Sequence, residues 1–173
     1  IVLSSREKLH NDPTVIALPE YGTLRGIRKR HGVFFGNIPY AAPPVGSLRF
    51  AAPEPPTPWT PAVLDATEYG YDCWQIVDPV MNPSVNRMSE DCLTLAIHAP
   101  ILQARKYPVL VWLHGGAFQQ GGAHRPEYDA SRLQNVVVVT LNYRLGALGF
   151  LVSKSAGVRG NFGLQDQRAA LRW

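Results

Sequence analysis

Ten residues decide the fold of this chain: Val109-Leu110-Val111-Trp112-Leu113-His114-Gly115-Gly116-Ala117-Phe118. An uninterrupted apolar run passes directly into a pair of glycines, and residues 136–141 form a second apolar, β-branched run. Runs without alternation are typical of strands covered on both faces, as in a parallel sheet. The polar residues 126–132 between them are too few for more than a brief helix. We therefore predict the beginning of an α/β layered fold.

The glycine pair after the first run has two explanations. Glycine suits a tight turn at the end of a strand, because it tolerates unusual φ angles. It also lets backbone N–H groups approach the oxygen that becomes negative during acyl transfer. A His-Gly-Gly-small sequence after a core strand is known in lipases and esterases. On this stretch alone both explanations stay open.

The first half of the chain predicts short strands separated by turns. These strands are expected at residues 14–17, 23–27, 32–35 and 93–97. A hairpin turn is expected at His31-Gly32. Residues 38–61 contain eight prolines, a density that excludes a helix or a central strand and indicates an extended surface segment.

Both ends of the chain resemble cuts. Ile1 is not an initiator methionine. Asn161 is a candidate N-cap for a helix over residues 163–173, with Leu164, Leu171 and the alanines on its apolar side. No Gly, Asn or Pro stops that helix before Trp173. We expect a fragment, or one chain of a nicked protein.

The composition is that of an ordinary soluble globular protein, with 46% apolar residues, 17% charged residues and a net charge of +4. No apolar run approaches the roughly 20 residues that span a bilayer, so no transmembrane segment is expected. The densest basic cluster is Arg25, Arg28, Lys29 and Arg30. A nucleic-acid patch and a solvated turn are the alternatives there. Because no aromatic platform accompanies the cluster, we expect the turn and no nucleic-acid partner.

The two cysteines, Cys73 and Cys92, lack the spacing of a metal site, and no metal or cofactor is expected. One alternative is a pair of buried free thiols. The other is a disulfide that closes a loop rich in Pro, Asn and Ser, which suits a secreted protein or another oxidising compartment.

Five motifs in the right order carry a family resemblance. They are Phe35-Gly36-Asn37-Ile38-Pro39-Tyr40-Ala41 with Pro43-Pro44-Val45-Gly46-Ser47-Leu48-Arg49-Phe50; Ser89-Glu90-Asp91-Cys92-Leu93-Thr94-Leu95; His114 to Phe118; Leu141-Asn142-Tyr143-Arg144 with Gly146, Gly149, Phe150 and Leu151; and Gly160-Asn161-Phe162-Gly163-Leu164-Gln165-Asp166-Gln167-Arg168. Together they resemble the type-B carboxylesterase and cholinesterase family of the α/β-hydrolase superfamily. The resemblance runs from about Thr14 to the end of the chain.

The resemblance implies a fold and several residue roles. Residues 1–173 would be the amino-terminal part of a single hydrolase domain, in which small antiparallel strands lead into a mostly parallel central sheet. Gly116 and Ala117 would donate the oxyanion-hole N–H groups, and Gly115 would give the turn its freedom. The paired structural residues would be a disulfide, Cys73–Cys92, and two salt bridges, Arg49–Glu90 and Arg144–Asp166.

The catalytic triad is not expected in this chain. In this fold the nucleophile occupies a G-x-S-x-G elbow, and the acid and the histidine follow it along the chain. No such elbow occurs here; Ser155-Ala156-Gly157 lacks the first glycine, because Ser153 stands in its place. His114 precedes any possible nucleophile, so chain order excludes it as the base. The elbow is expected shortly after Trp173, and the chain alone should be inactive without the rest of the hydrolase.

Two functions remain open for the intact protein. One is a serine carboxylic-ester hydrolase acting on an uncharged ester. Trp74 adjoins Cys73 and no aromatic residue follows before Cys92, so Trp74 is expected to pack rather than to stack a quaternary ammonium. The other is a non-catalytic adhesion or scaffold domain of the same family that has lost the serine.

Overall fold

The computed structural model describes residues 12–77, 87–101 and 106–173. The described strands are β1 (Val15–Leu18), β2 (Gly22–Arg25), β3 (Ile27–Lys29), β4 (Gly32–Pro39), β5 (Val63–Asp65), β6 (Asp72–Cys73), β7 (Met88–Ser89), β8 (Thr94–Pro100), β9 (Val109–Leu113) and β10 (Val137–Leu141). The described α-helices are α1 (Gly146–Phe150) and α2 (Phe162–Arg172). Short 3-10 turns lie at Gly46–Leu48 and Pro126–Tyr128.

The central sheet has five described strands in the order β3-β4-β8-β10-β9. Strand β10 pairs parallel with β9 and antiparallel with β8, and β4 pairs antiparallel with both β8 and β3. The described sheet is therefore mixed rather than mostly parallel. Its described parallel pair is β9, which precedes the glycine loop (residues 114–118), with β10, which follows that loop. The predicted hairpin turn at His31 joins β3 to β4.

The predicted strand over residues 23–27 divides at Gly26 into β2 and β3. Strand β2 lies in a separate sheet of order β1-β2-β5, whereas β3 lies at one edge of the central sheet. A Cβ at Gly26 would clash with the backbone oxygen of Phe34 and lie 2.6 Å from the Phe35 ring. The missing side chain lets the chain pass from one sheet to the other.

The two apolar runs differ in burial, although the sequence predicts that both are covered. In β10, Val138, Thr140 and Leu141 are buried. In β9 every residue is exposed, from 36% at Val111 to 62% at Val109. Strand β9 is the last strand of the described sheet and pairs only with β10 there. No described segment buries the apolar residues of β9, although their sequence is typical of a strand that is covered on both faces.

The carboxyl-terminal helix α2 begins directly after Asn161, as predicted, but the Asn161 side chain does not cap it. Asn161 has a left-handed conformation (φ 59°) and makes no side-chain capping bond. The buried face of α2 consists of Phe162, Gly163, Asp166 and Ala170, while Leu164 and Leu171 are exposed. Helix α2 thus packs through one aromatic ring, two small residues and one carboxylate. Among the described helices none has the length and apolarity that crossing a membrane requires.

The proline-rich segment, residues 38–61, is irregular as predicted apart from the end of β4 and one 3-10 turn. Buried residues of β4, β8 and β10 and of the segment after β10 form the hydrophobic core, among them Phe35, Ile38, Leu95, Leu141 and Leu145. This core fixes the plane of the sheet from whose edge the glycine loop emerges.

Candidate active site: the glycine loop and its supports

The loop at residues 114–118 leaves the carboxyl end of β9 with an unusual backbone. Gly116 has a φ of +119°, and the next two residues, Ala117 and Phe118, have φ values of +53° and +59°. Non-glycine residues rarely adopt positive φ, because the Cβ approaches the carbonyl oxygen too closely. Two in succession form a strained segment that the surrounding structure must hold in place.

Gly116, rather than Gly115, is the residue that the turn requires to be glycine. A Cβ at Gly115 would meet no atom within 4 Å, and the φ of Gly115 is not positive. A Cβ at Gly116 would collide with the backbone oxygen of Gln120. The geometry therefore requires glycine at position 116, whereas it sets no such requirement at position 115.

The backbone groups of the loop fall into two classes. The carbonyl oxygen of Gly116 accepts hydrogen bonds from the N–H of Gln119 (2.9 Å) and the N–H of Gln120 (3.1 Å). By contrast, the N–H groups of Gly116 and Ala117 donate to no acceptor within residues 12–77, 87–101 and 106–173. Neither takes part in the sheet, so two adjacent donors are left for another acceptor.

His114 is a buried support of the loop, with 3% of its surface exposed. Its Nδ1 lies 2.9 Å from the carbonyl oxygen of Gly115, so this nitrogen carries the hydrogen. Burial lowers the pKa of His114 below its usual value. The imidazole is therefore neutral at pH 7, and its Nε2 has no hydrogen-bond partner within the described part of the chain.

The segment after β10 contacts the loop at both ends. The phenol of Tyr143 donates a 2.7 Å hydrogen bond to the carbonyl oxygen of His114, and its ring stacks on the His114 imidazole with centroids 4.3 Å apart. The N–H of Gly146 donates to the carbonyl oxygen of Phe118 at 2.7 Å. The role of Tyr143 was not predicted; the available signal was its place two residues after the apolar run that ends at Leu141.

The same segment is itself tied down by its neighbours. The Arg144 guanidinium donates to both oxygens of Asp166 at 2.8 and 2.7 Å, and both side chains are buried. Burial raises the pKa of the Asp166 carboxyl, against the lowering effect of Arg144. Asn142 donates to the Tyr71 carbonyl and accepts from the Ala123 N–H, each at 2.8 Å.

The family model described as "Carboxylesterase family" matches residues 12–173. The chain belongs to the carboxylesterase family. It is 46% identical to the para-nitrobenzyl esterase of Bacillus subtilis (strain 168) over an alignment of 165 residues that covers 91% of this chain and 34% of that protein. It is 39% identical to the cholinesterase of Mus musculus over 184 residues, with 96% of this chain and 30% of that protein covered.

Solved structures agree with this assignment. A para-nitrobenzyl esterase structure is 46% identical and superposes with a TM-score of 0.82, covering 94% of this chain and 34% of its own. A thermophilic para-nitrobenzyl esterase gives a TM-score of 0.85 at 44% identity, covering 94% of this chain and 35% of its own. The α/β-hydrolase fold class is confirmed. The chain spans about a third of the length of the relatives that it matches.

The two cysteines of this carboxylesterase-family chain form a disulfide, Cys73–Cys92. This resolves the alternative of free thiols. The interior of the loop that it closes, residues 78–86, lies outside the described residues. Beside it the Arg49 guanidinium contacts both oxygens of Glu90, with Nε 2.7 Å from Oε2. The pair lies beside the disulfide, with the Arg49 side chain 47% and the Glu90 side chain 22% exposed.

Trp74 and Ser155 were singled out in the sequence and lie apart from the loop's contacts. Trp74 is half exposed and lines a small cavity with Arg49 and the disulfide. Ser155 lies in an exposed turn, and its only side-chain partner in the described part of the chain is the hydroxyl of Ser153 at 3.3 Å. No described histidine or carboxylate activates Ser155.

Two histidine pairs were not predicted from the sequence. Nε2 of His98 lies 2.9 Å from the Tyr69 hydroxyl, and Nδ1 of His124 lies 2.9 Å from the buried Asp72 carboxylate. Burial lowers the pKa of His98 and raises that of Tyr69 to about 12. These pairs fasten residues 69–72 to the sheet and to the loop at 124. The described residues contain no cluster of three potential metal ligands.

Proposed function

We propose that this carboxylesterase-family chain supplies the oxyanion hole of a serine hydrolase that cleaves uncharged carboxylic esters. Gly116 and Ala117 are the donors, and their backbone N–H groups hydrogen-bond the oxygen that becomes negative. The observation that carries the proposal is this pair of adjacent N–H groups, at the end of a parallel strand, without an acceptor in the described chain.

The chemistry needs donors that are fixed before the reaction begins. A serine oxygen adds to the ester carbonyl carbon, the carbonyl electron pair moves to oxygen, and the serine proton passes to a base. The two N–H groups stabilise the resulting oxyanion. The alcohol then leaves with the proton, and water hydrolyses the acyl-enzyme by the same route in reverse. Losing one such donor costs about 10²–10³ in kcat.

In this proposal the serine, the acid and the histidine lie outside residues 1–173. The chain is the amino-terminal part of one hydrolase domain, and its partner is the remaining sequence of the same hydrolase. The short span relative to the matched esterases supports this division. The disulfide supports a secreted protein or another oxidising compartment.

Activity-based labelling of the protein expressed from its complete reading frame tests the proposal. We expect stoichiometric labelling by a fluorophosphonate at one serine outside residues 1–173, together with hydrolysis of an uncharged aryl ester such as p-nitrophenyl butyrate. Absence of both labelling and hydrolysis would overturn the proposal. That result would favour the non-catalytic adhesion or scaffold alternative within the same family.

A further inference from the structure

The backbone conformation of the oxyanion loop (the glycine loop, residues 114–118) depends on contacts with residues outside the loop. Ala117 and Phe118 both adopt positive φ, a conformation that side-chain-bearing residues avoid unless contacts from elsewhere enforce it. Gln119 and Gln120 support the loop from within, through the Gly116 oxygen. Its two ends, at His114 and Phe118, are held by another segment.

That segment is residues 143–146, called here the clamp. Tyr143 holds the first end through its 2.7 Å bond to the His114 oxygen and through a near-parallel ring stack, with 13° between the planes. Gly146 holds the other end through its 2.7 Å bond to the Phe118 oxygen. Both bonds end on carbonyl oxygens, so the clamp leaves the N–H groups of Gly116 and Ala117 unused.

Two residues of the clamp, Tyr143 and Arg144, are held in place by burial and by contacts with α2. Tyr143 is 2% exposed and Arg144 is 3% exposed. The Arg144 N–H and guanidinium both bond Asp166 in α2, and the Arg144 guanidinium also lies over the Phe162 ring at 5.3 Å. A displacement of the loop would therefore have to break buried hydrogen bonds or move α2.

We infer that Tyr143 is a positioning residue for catalysis, whose phenol sets the orientation of the oxyanion-hole N–H groups through the His114 carbonyl. Its kinetic consequence rests on the proposed function. Its structural consequence does not, because the contacts exist whether or not a serine is present. Tyr143 does not touch the reacting atoms, so its removal weakens transition-state stabilisation rather than substrate binding.

Tyr143→Phe tests this inference in the protein from the complete reading frame, since it deletes the phenol and keeps the ring stack. Tyr69→Phe is the control. It also deletes a phenol and keeps the ring, and the Tyr69 hydroxyl lies 2.9 Å from Nε2 of His98 in β8. Both variants therefore lose one phenol hydrogen bond, but only one of these bonds ends on the oxyanion loop.

For Tyr143→Phe we expect kcat to fall by about 10- to 10²-fold, because a displacement of about 1 Å costs up to that much. We expect KM to stay unchanged, and the affinity for a trifluoromethyl ketone transition-state analogue to fall by the same factor as kcat/KM. Tyr69→Phe should leave all three unchanged. Equal kinetic losses in both variants, or no loss in Tyr143→Phe, would overturn the inference.

Hydrogen–deuterium exchange provides a readout that is independent of activity. In Tyr143→Phe the amides of Gln119, Gln120 and Gly146, which donate to the Gly116 and Phe118 oxygens, should exchange severalfold faster than in the wild type, and in Tyr69→Phe they should not. If the wild-type protein neither binds a fluorophosphonate nor hydrolyses esters, the proposed function fails, and exchange alone decides the inference. Unchanged exchange of the Gln119, Gln120 and Gly146 amides in Tyr143→Phe would then contradict it.

Discussion

Gly116 and Gly115 are neighbours with opposite requirements. The φ of Gly116 is +119° and a Cβ there meets the Gln120 oxygen, whereas a Cβ at Gly115 meets open space. The sequence predicts a glycine turn at this place, but it cannot tell which glycine the turn needs. Which glycine is required depends on the position of the Gln120 backbone and on the hydrogen bond from the Gly146 N–H to Phe118. Both depend on residues outside the motif.

Gly116→Ala should abolish most of the activity of the intact hydrolase. The new methyl group cannot fit against Gln120, so the N–H groups of Gly116 and Ala117 turn away, and kcat should fall by about 10²–10³. The control is Gly157→Ala, which also has a positive φ (+68°) but meets no atom within 4 Å. Steady-state ester hydrolysis measures both. Equal kcat values for Gly116→Ala and the wild type would show that the loop does not serve the reaction.

For helix α2, the sequence pattern predicts where the helix lies but not which of its faces is buried. The N-cap position and the helix were predictable from Asn161 and the residues behind it. The buried face was not, because Asp166 is drawn inward by Arg144, and the exposed Leu164 and Leu171 have no described layer to pack against. The split of residues 23–27 at Gly26 has a similar origin, since the contact with Phe35 is made only in the folded state.

Asp166→Ala should destabilise the protein severely. It leaves the Arg144 guanidinium, whose side chain is 4% exposed, as an uncompensated buried charge, which costs about 3–5 kcal/mol. Arg144→Met with Asp166→Leu should recover most of that loss, because apolar residues can replace a buried ion pair. Urea unfolding of the protein from the complete reading frame measures both variants.

A matched control for that comparison is Arg25→Ala, which breaks the exposed Arg25–Asp65 pair (3.0 Å). Its cost should be small, because exposed ion pairs are solvated and screened by salt. A loss as small for Asp166→Ala as for Arg25→Ala would mean that the buried pair does not hold α2 against the sheet.

The exposed strand β9 is the feature that we expect to determine whether residues 1–173 are soluble on their own. All five of its residues are apolar and exposed, and in the described sheet only β10 pairs with it. The continuous apolar run correctly predicted a strand, but the prediction that both of its faces are covered is not met among the described residues. The sequence of residues 1–173 could not reveal which segment covers them, because a strand's composition records its burial and not its neighbour.

Residues 1–173 expressed alone should aggregate or remain molten, because a long apolar edge strand pairs with other chains. Val111→Lys should raise the soluble fraction of the isolated chain, since a charge on an edge strand opposes such pairing. In the protein from the complete reading frame the same substitution should destabilise. Size-exclusion chromatography and calorimetry measure these effects, and a sharp cooperative melt of the isolated wild-type chain would contradict this account.

The proposed role of the Gly116 and Ala117 N–H groups can be seen in a crystal structure of the protein from the complete reading frame, inhibited by a fluorophosphonate. We predict that the phosphonyl oxygen lies about 2.7–3.1 Å from the backbone nitrogens of both Gly116 and Ala117. An adduct whose phosphonyl oxygen is held by other donors, with the N–H groups of Gly116 and Ala117 pointing elsewhere, would contradict the claim.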